Sequence, residues 1–159
     1  MKKLCFLLLL SVTVLMSCKT EEVFGEDEQL RIDIELIEKF LAENNLEAQV
    51  IGSTGVHYVI HQEGSGPTAA FGNSVFTHFT GYLLDGTEFD TSIGSGSPFE
   101  FVLGAGEVVQ GWGLAFEKLN RGASATILIP SQFAWGPRRQ GIIPPNSVVA
   151  FDVDVLEIR

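Results

Sequence analysis

Six aromatic side chains, Phe79, Phe89, Phe99, Trp112, Trp135 and Phe151, are spread over the second two thirds of this 159-residue sequence. Aromatic residues along one periodic stripe usually mean core. These six come from separate elements, and several adjoin Gly or Pro, where a chain turns at its surface. Brought together they would form a dry apolar niche. Such a niche binds an apolar ring through burial and dispersion, and it needs no acid, base or nucleophile.

Other chemistries find less support. His57 and His61 are four apart. On a strand that spacing separates them by about 13 Å, too far to share one ion held at about 2 Å per ligand. Surface histidines are the better reading, and no metal site is expected. Gly104-Ala105-Gly106 followed by Gly111 suggests a phosphate loop, but the Lys-Ser/Thr that would hold phosphate and magnesium is missing. No G-x-S-x-G elbow occurs. No cofactor is implied.

The elements that would position the aromatic residues can be read from period and punctuation. Past Gln49 the chain breaks into short β-rich runs separated by Gly, Pro and Asn. Val56 to Ile60 and Val75 to Leu84 read as strands, and Asp85-Gly86 is a hairpin-turn dipeptide before Thr87-Glu88-Phe89. Val149, Phe151, Val153 and Val155 alternate with Asp152 and Asp154, so this strand has one buried and one wet face. Trp112, Ala115, Phe116 and Leu119 fall at helical spacing before Asn120-Arg121-Gly122 ends the helix. The fold class is α+β, a twisted antiparallel sheet wrapped on one short helix.

A further helix precedes the sheet. Residues 27–44 contain no Gly or Pro, Leu30, Ile34, Ile37 and Leu41 form an apolar stripe, and Asn44-Asn45 makes an end. Ile32, Leu36 and Phe40 form a second stripe, more than one contact surface needs. The helix either packs on the main domain, the favoured reading, or pairs with a second copy in a homodimer.

The leading residues carry address rather than fold. Lys2 and Lys3 precede the uncharged apolar run Leu4 to Met16, the layout of a secretory signal. Thirteen helical residues reach about 20 Å against about 30 Å of bilayer hydrocarbon, so a permanent span is the weaker reading. Leu15-Met16-Ser17-Cys18 resembles the bacterial lipobox, whose cysteine is acylated after cleavage. Lys19-Thr20-Glu21-Glu22 also resembles the acidic sorting signals of some surface-exposed lipoproteins, with a solvated linker as the alternative.

Cleavage before Cys18 would remove Cys5 with the signal and leave 142 residues without a disulfide partner for Cys18. The loss of Lys2 and Lys3 would move the formal charge from −10 to −12. That balance argues against nucleic acid, whose phosphates it would repel. The expected organisation is a signal peptide over 1–17, an acidic lipid-anchored tether over 18–26, a helix over 27–48 and one folded domain over 49–159. The expected location is the bacterial cell envelope, on a membrane through the lipid at Cys18, with the outer membrane and a periplasmic or surface-facing side in view.

The order of motifs in the folded region resembles the FKBP-type peptidyl-prolyl isomerase family. The match runs through Thr77-His78-Phe79-Thr80-Gly81, Asp85-Gly86-Thr87-Glu88-Phe89-Asp90-Thr91-Ser92, Pro98-Phe99-Glu100-Phe101, Leu103-Gly104, Glu107-Val108-Val109-Gln110-Gly111-Trp112, Gly141-Ile142-Ile143-Pro144-Pro145 and Phe151-Asp152-Val153. The resemblance implies a shallow apolar pocket between sheet and helix. It gives Trp112 the floor, Phe79, Phe89, Phe99, Val108, Val109, Ile143 and Phe151 the walls, and Ile142 a substrate contact. It gives the Val109 backbone N–H a substrate carbonyl to bind, Asp90 the rim, and Trp135 the cover over the proline.

The implied activity is cis/trans isomerisation of X-Pro bonds in secreted or envelope polypeptides, by non-covalent stabilisation of a twisted amide. The alternative is a proline-segment-binding module or holdase with little turnover. The resemblance also admits a macrolide ligand. Three departures from the family pattern bear on rate: Phe79 and Trp135 stand where the family usually has Tyr, and the arginine often paired to the residue matched by Asp90 is missing. Asp90 is then expected either to be more mobile or to bond Ser95 or Ser97 in its place.

Overall fold

The computed structural model describes residues 26–159. The expected signal peptide, the lipid attachment at Cys18 and nearly all of the tether lie outside the described residues. The chain forms α1 (Glu26–Glu43), β1 (Gln49–Val50), β2 (His57–Gln62), β3 (Ser65–Thr68), β4 (Ser74–Leu83), β5 (Glu88–Thr91) and β6 (Phe99–Val102). It continues with α2 (Gln110–Phe116), β7 (Asn120–Arg121), β8 (Ser124–Ile129), a 3-10 turn over Ser131–Phe133, and β9 (Val149–Ile158).

Seven strands make one antiparallel sheet in the order β1-β2-β8-β9-β4-β5, with β6 also paired to β4. The alternation in β9 sorts its faces: Val149, Phe151, Val153 and Val155 are buried, and Asp152 and Asp154 are exposed. In β4 the same period puts Val75, Thr77, Phe79 and Gly81 inward. The Asp85-Gly86 turn closes the β4–β5 hairpin, with Leu83 N–H donating to Thr87 O at 2.9 Å.

Helix α2 lies on the inward face, where Trp112, Ala115 and Phe116 join the buried cluster with Phe101, Ile127, Ile129, Phe151 and Val153. Gly111 permits the approach: a Cβ there would come within 2.3 Å of the Ile129 side chain. The helix ends at Phe116, earlier than the apolar period suggests, and Leu119 stays buried on the following turn through its N–H to Phe116 O bond.

Helix α1 covers the opposite face. Ile37 and Leu41 pack with Val59, Leu128, Val148 and Ala150 in a second core, which is why Ala150 is buried on the otherwise wet side of β9. Leu36 of the second stripe is exposed, and Phe40 is partly buried against this core. Asn45 ends the helix region in the left-handed conformation, φ 53°, with Leu46 N–H bonded to Leu41 O. No helix among the described residues is long and apolar enough to cross a membrane.

His57 corrects the expectation of a surface residue. It is buried, and its Nδ1 lies 2.7 Å from Gly55 O, so Nδ1 carries the proton and donates to that carbonyl. His61 is exposed at the far end of the strand and bonds Thr126 Oγ1 through Nε2 at 2.7 Å.

Candidate active site

Residues from β4, β5, β6, α2, β9 and the β8–β9 loop converge on one open cleft of about 1010 Å³. All eleven side chains singled out from the sequence for a site in the folded domain line it: Phe79, Phe89, Asp90, Phe99, Val108, Val109, Trp112, Trp135, Ile142, Ile143 and Phe151. Trp112 is the floor, 3% exposed, and its ring lies within 5.0–5.8 Å of the rings of Phe79, Phe99, Phe101, Phe116 and Phe151. Phe89 meets Phe151 edge-on at 5.5 Å and Trp135 edge-on at 5.8 Å.

Local sequence explains these placements. Phe79 and Phe151 point inward because each lies on the buried face of a strand whose residues alternate in and out, and Gly81 faces Phe151 in register. A Cβ at Gly81 would sit 2.6 Å from the Phe89 ring and 2.8 Å from the Phe151 ring. Only glycine there lets both rings fold across the strand. Trp112 lies one turn into α2, whose N-cap Val109 is extended and carries no side-chain cap. The Val109 N–H donates to no acceptor among the described residues, so it is available at the cleft wall.

The rim is polar. Asp90 is exposed and Phe89, Phe99 and Trp135 are half-buried. The expected bond from Ser95 or Ser97 to Asp90 does not form: the Ser95 hydroxyl sits on Ser92 O at 2.8 Å and Ser97 O at 2.7 Å. Those bonds stabilise the Gly-rich loop from within, where local carbonyls lie closer than a carboxylate on the neighbouring strand.

Sequence reasoning missed two polar groups here. Ser92 is buried on the cleft lining, and its Oγ accepts the Phe79 N–H at 2.9 Å, which fixes the strand under that ring. Asp33 of α1 is fully buried and accepts from the N–H and hydroxyl of Ser131, at the start of the Trp135 loop. An acid between Leu30, Ile34 and Ile37 was the available signal, because a buried face admits a carboxylate only where donors wait for it.

The Trp112 Nε1 is buried without a hydrogen-bond partner among the described residues. A floor with one orphaned donor, aromatic walls and a polar rim suits a ligand that is apolar in the centre and carries carbonyls at its edges. Among the described residues, no His or Cys lines the cleft.

Comparison with known proteins gives the same account. A model of the FKBP-type peptidyl-prolyl cis-trans isomerase family matches residues 66–156. The chain is 44% identical over 89 residues to FK506-binding protein 1 of Saccharomyces cerevisiae, covering 55% of this chain and 78% of that one. It is 41% identical over 107 residues to peptidyl-prolyl cis-trans isomerase Fkbp12 of Drosophila melanogaster, covering 66% and 99%. The crystal structure of FkpA from Escherichia coli superposes with a TM-score of 0.70 at 31% identity, over 84% of this chain but only 60% of that one. The family match takes in more than half of the chain and every residue that lines the cleft, and the chain therefore belongs to the FKBP-type peptidyl-prolyl cis-trans isomerases.

Proposed function

We propose that this isomerase acts on exposed X-Pro bonds of secreted or envelope polypeptides while held to a membrane through a lipid on Cys18. The convergence of aromatic rings on Trp112 carries the catalytic part of the reading. Rotation about an X-Pro amide is slow because resonance is lost on the way, against a barrier of about 18–20 kcal/mol. The twisted amide is less dipolar than the planar one, so transfer from water to an apolar cleft favours it. Burying about 100 Å² of proline ring supplies about 2.5 kcal/mol for holding the substrate. What speeds the reaction is binding that grows as the amide twists.

In this reading Trp112 supports the proline ring, Phe79, Phe89, Phe99 and Phe151 enclose it, and Trp135 covers it. Val108, Ile142 and Ile143 take the neighbouring apolar side chain, the Val109 N–H holds a substrate carbonyl, and Asp90 accepts at the rim. Each 1.4 kcal/mol of binding made only in the twisted state is about tenfold in rate.

The membrane part rests on the apolar run Leu4 to Met16 followed by Ser17-Cys18. A macrolide ligand fits the same cleft, as the name of the yeast relative, FK506-binding protein 1, suggests. Acceleration of a proline-limited refolding reaction by the protein is the test of turnover. Binding of unfolded chains without acceleration would make it a holdase instead. Metabolic labelling with a fatty acid should mark the wild type and leave Cys18→Ser unlabelled.

A further inference from the structure

Asp33 is the one buried carboxylate among the described residues, 0% exposed. Its Oδ2 accepts from Ser131 N–H at 2.7 Å and from the Ser131 hydroxyl at 2.6 Å, while Oδ1 accepts from Gln29 Nε2 at 2.7 Å. Those donors replace the hydration that burial removes. The bond crosses 98 residues of sequence and joins α1, on the outer side of the sheet, to the segment that carries Trp135.

Besides the apolar contacts of Phe133, Ala134, Ile143 and Val148, that segment is held by turns rather than by strand pairing. Between Ile129 and Val149 the chain makes no strand, only the 3-10 turn over Ser131–Phe133 and a Gln140–Ile143 bridge. Ser131 organises its start. The Ser131 carbonyl accepts from Ala134 N–H at 2.9 Å and from Gly136 N–H at 2.8 Å, the residues on either side of Trp135. Gly136 O in turn accepts from Asn146 N–H at 2.8 Å. Trp135 ends this relay at the cleft, edge-on to Phe89.

We infer that Asp33 is a positioning residue for the cleft: through Ser131 it sets where Trp135 stands over the substrate, so α1 is part of the binding apparatus rather than a spacer. The inference rests on the reading of the cleft as the isomerase site. A side chain that places a wall, without touching the reacting amide, contributes to substrate binding more than to the twisted state.

The test uses the full chain labelled with fluorotryptophan, which gives two fluorine NMR lines because the sequence holds two tryptophans. In Asp33→Ala the Trp135 line should shift or broaden while the Trp112 line stays in place. KM for a proline tetrapeptide should rise about tenfold with kcat within about twofold. Asp33→Asn keeps an oxygen that can accept from Ser131 and should recover most of both effects. Should Asp33→Ala not fold, Ser131→Ala, which loses the hydroxyl but keeps the peptide N–H, should show the same changes at smaller size.

Unchanged fluorine lines and unchanged KM would overturn the inference. So would equal movement of both lines with no recovery in Asp33→Asn, which marks a general structural role. If the Trp135 line moves while KM holds, and Trp112→Phe also leaves the kinetics alone, the coupling between α1 and Trp135 stands and the assignment of the cleft falls.

Discussion

The Phe79 ring stands perpendicular to the Trp112 indole, their centroids 5.3 Å apart and their planes at 90°. The first residue belongs to β4 and the second to α2, so this contact joins sheet and helix at the bottom of the cleft. Core and binding surface are the same atoms here. A change at the floor therefore acts on stability and activity together.

Trp112→Ala should lower stability by about 3–5 kcal/mol, the usual cost of emptying a buried aromatic site. Denaturant titration measures that loss. Trp112→Phe keeps much of the packing with the Phe79 and Phe151 edges, and should stay folded while losing activity in a peptide isomerisation assay.

Gly81→Ala places a methyl group against the Phe89 and Phe151 rings. Overpacking of this kind costs about 1–3 kcal/mol. Because both rings are cleft walls, activity should fall at temperatures where the variant is still fully folded. Equal activity per folded molecule would show that the rings yield without reshaping the cleft.

Tyr82, on the outer face of the sheet, donates to Asp152 Oδ1 at 3.1 Å. Burial pushes its hydroxyl well above the ordinary tyrosine range, and the neighbouring carboxylate adds to the shift. The fold therefore favours the protonated phenol. Its contribution is full below the unfolded value near pH 10 and is lost as pH rises above it. Denaturation midpoints taken between about pH 9 and pH 11 should fall more steeply for the wild type than for Tyr82→Phe.

Phe79→Tyr would return the hydroxyl that the family pattern usually carries at this position. Asp90, exposed and without a side-chain partner among the described residues, is the acceptor the sequence resemblance suggests. A hydrogen bond adding about 0.7 kcal/mol in the twisted state would raise kcat/KM about threefold. A hydroxyl left unsatisfied beside Trp112 would instead cost about 1–3 kcal/mol of stability and leave the rate unimproved.

The strands and the cleft lining were legible in the sequence for a local reason. The alternation of Val149 to Val155 and the Asp85-Gly86 turn each specify geometry within a few residues, and the spaced motifs then placed Phe79, Trp112 and Phe151 together. The Asp33–Ser131 bond was not legible because its partners are 98 residues apart, though an acid on an apolar stripe marked one end. His57 was misread because strand period alone does not reveal the cover supplied by another element or the carbonyl of Gly55 beside the ring. Leu119 was read as helical because apolar spacing persists through a turn after the helical hydrogen bonds stop.

β9 follows every other strand in the sequence but lies between β8 and β4 in the sheet. A polypeptide emerging from its amino end has Trp112 and Phe89 already made but no Phe151 to close the cleft, and β8 has no route to β4. All six prolines, from Pro67 to Pro145, come before that strand. While β9 is still unmade, the molecule has no complete cleft of its own to turn on those bonds.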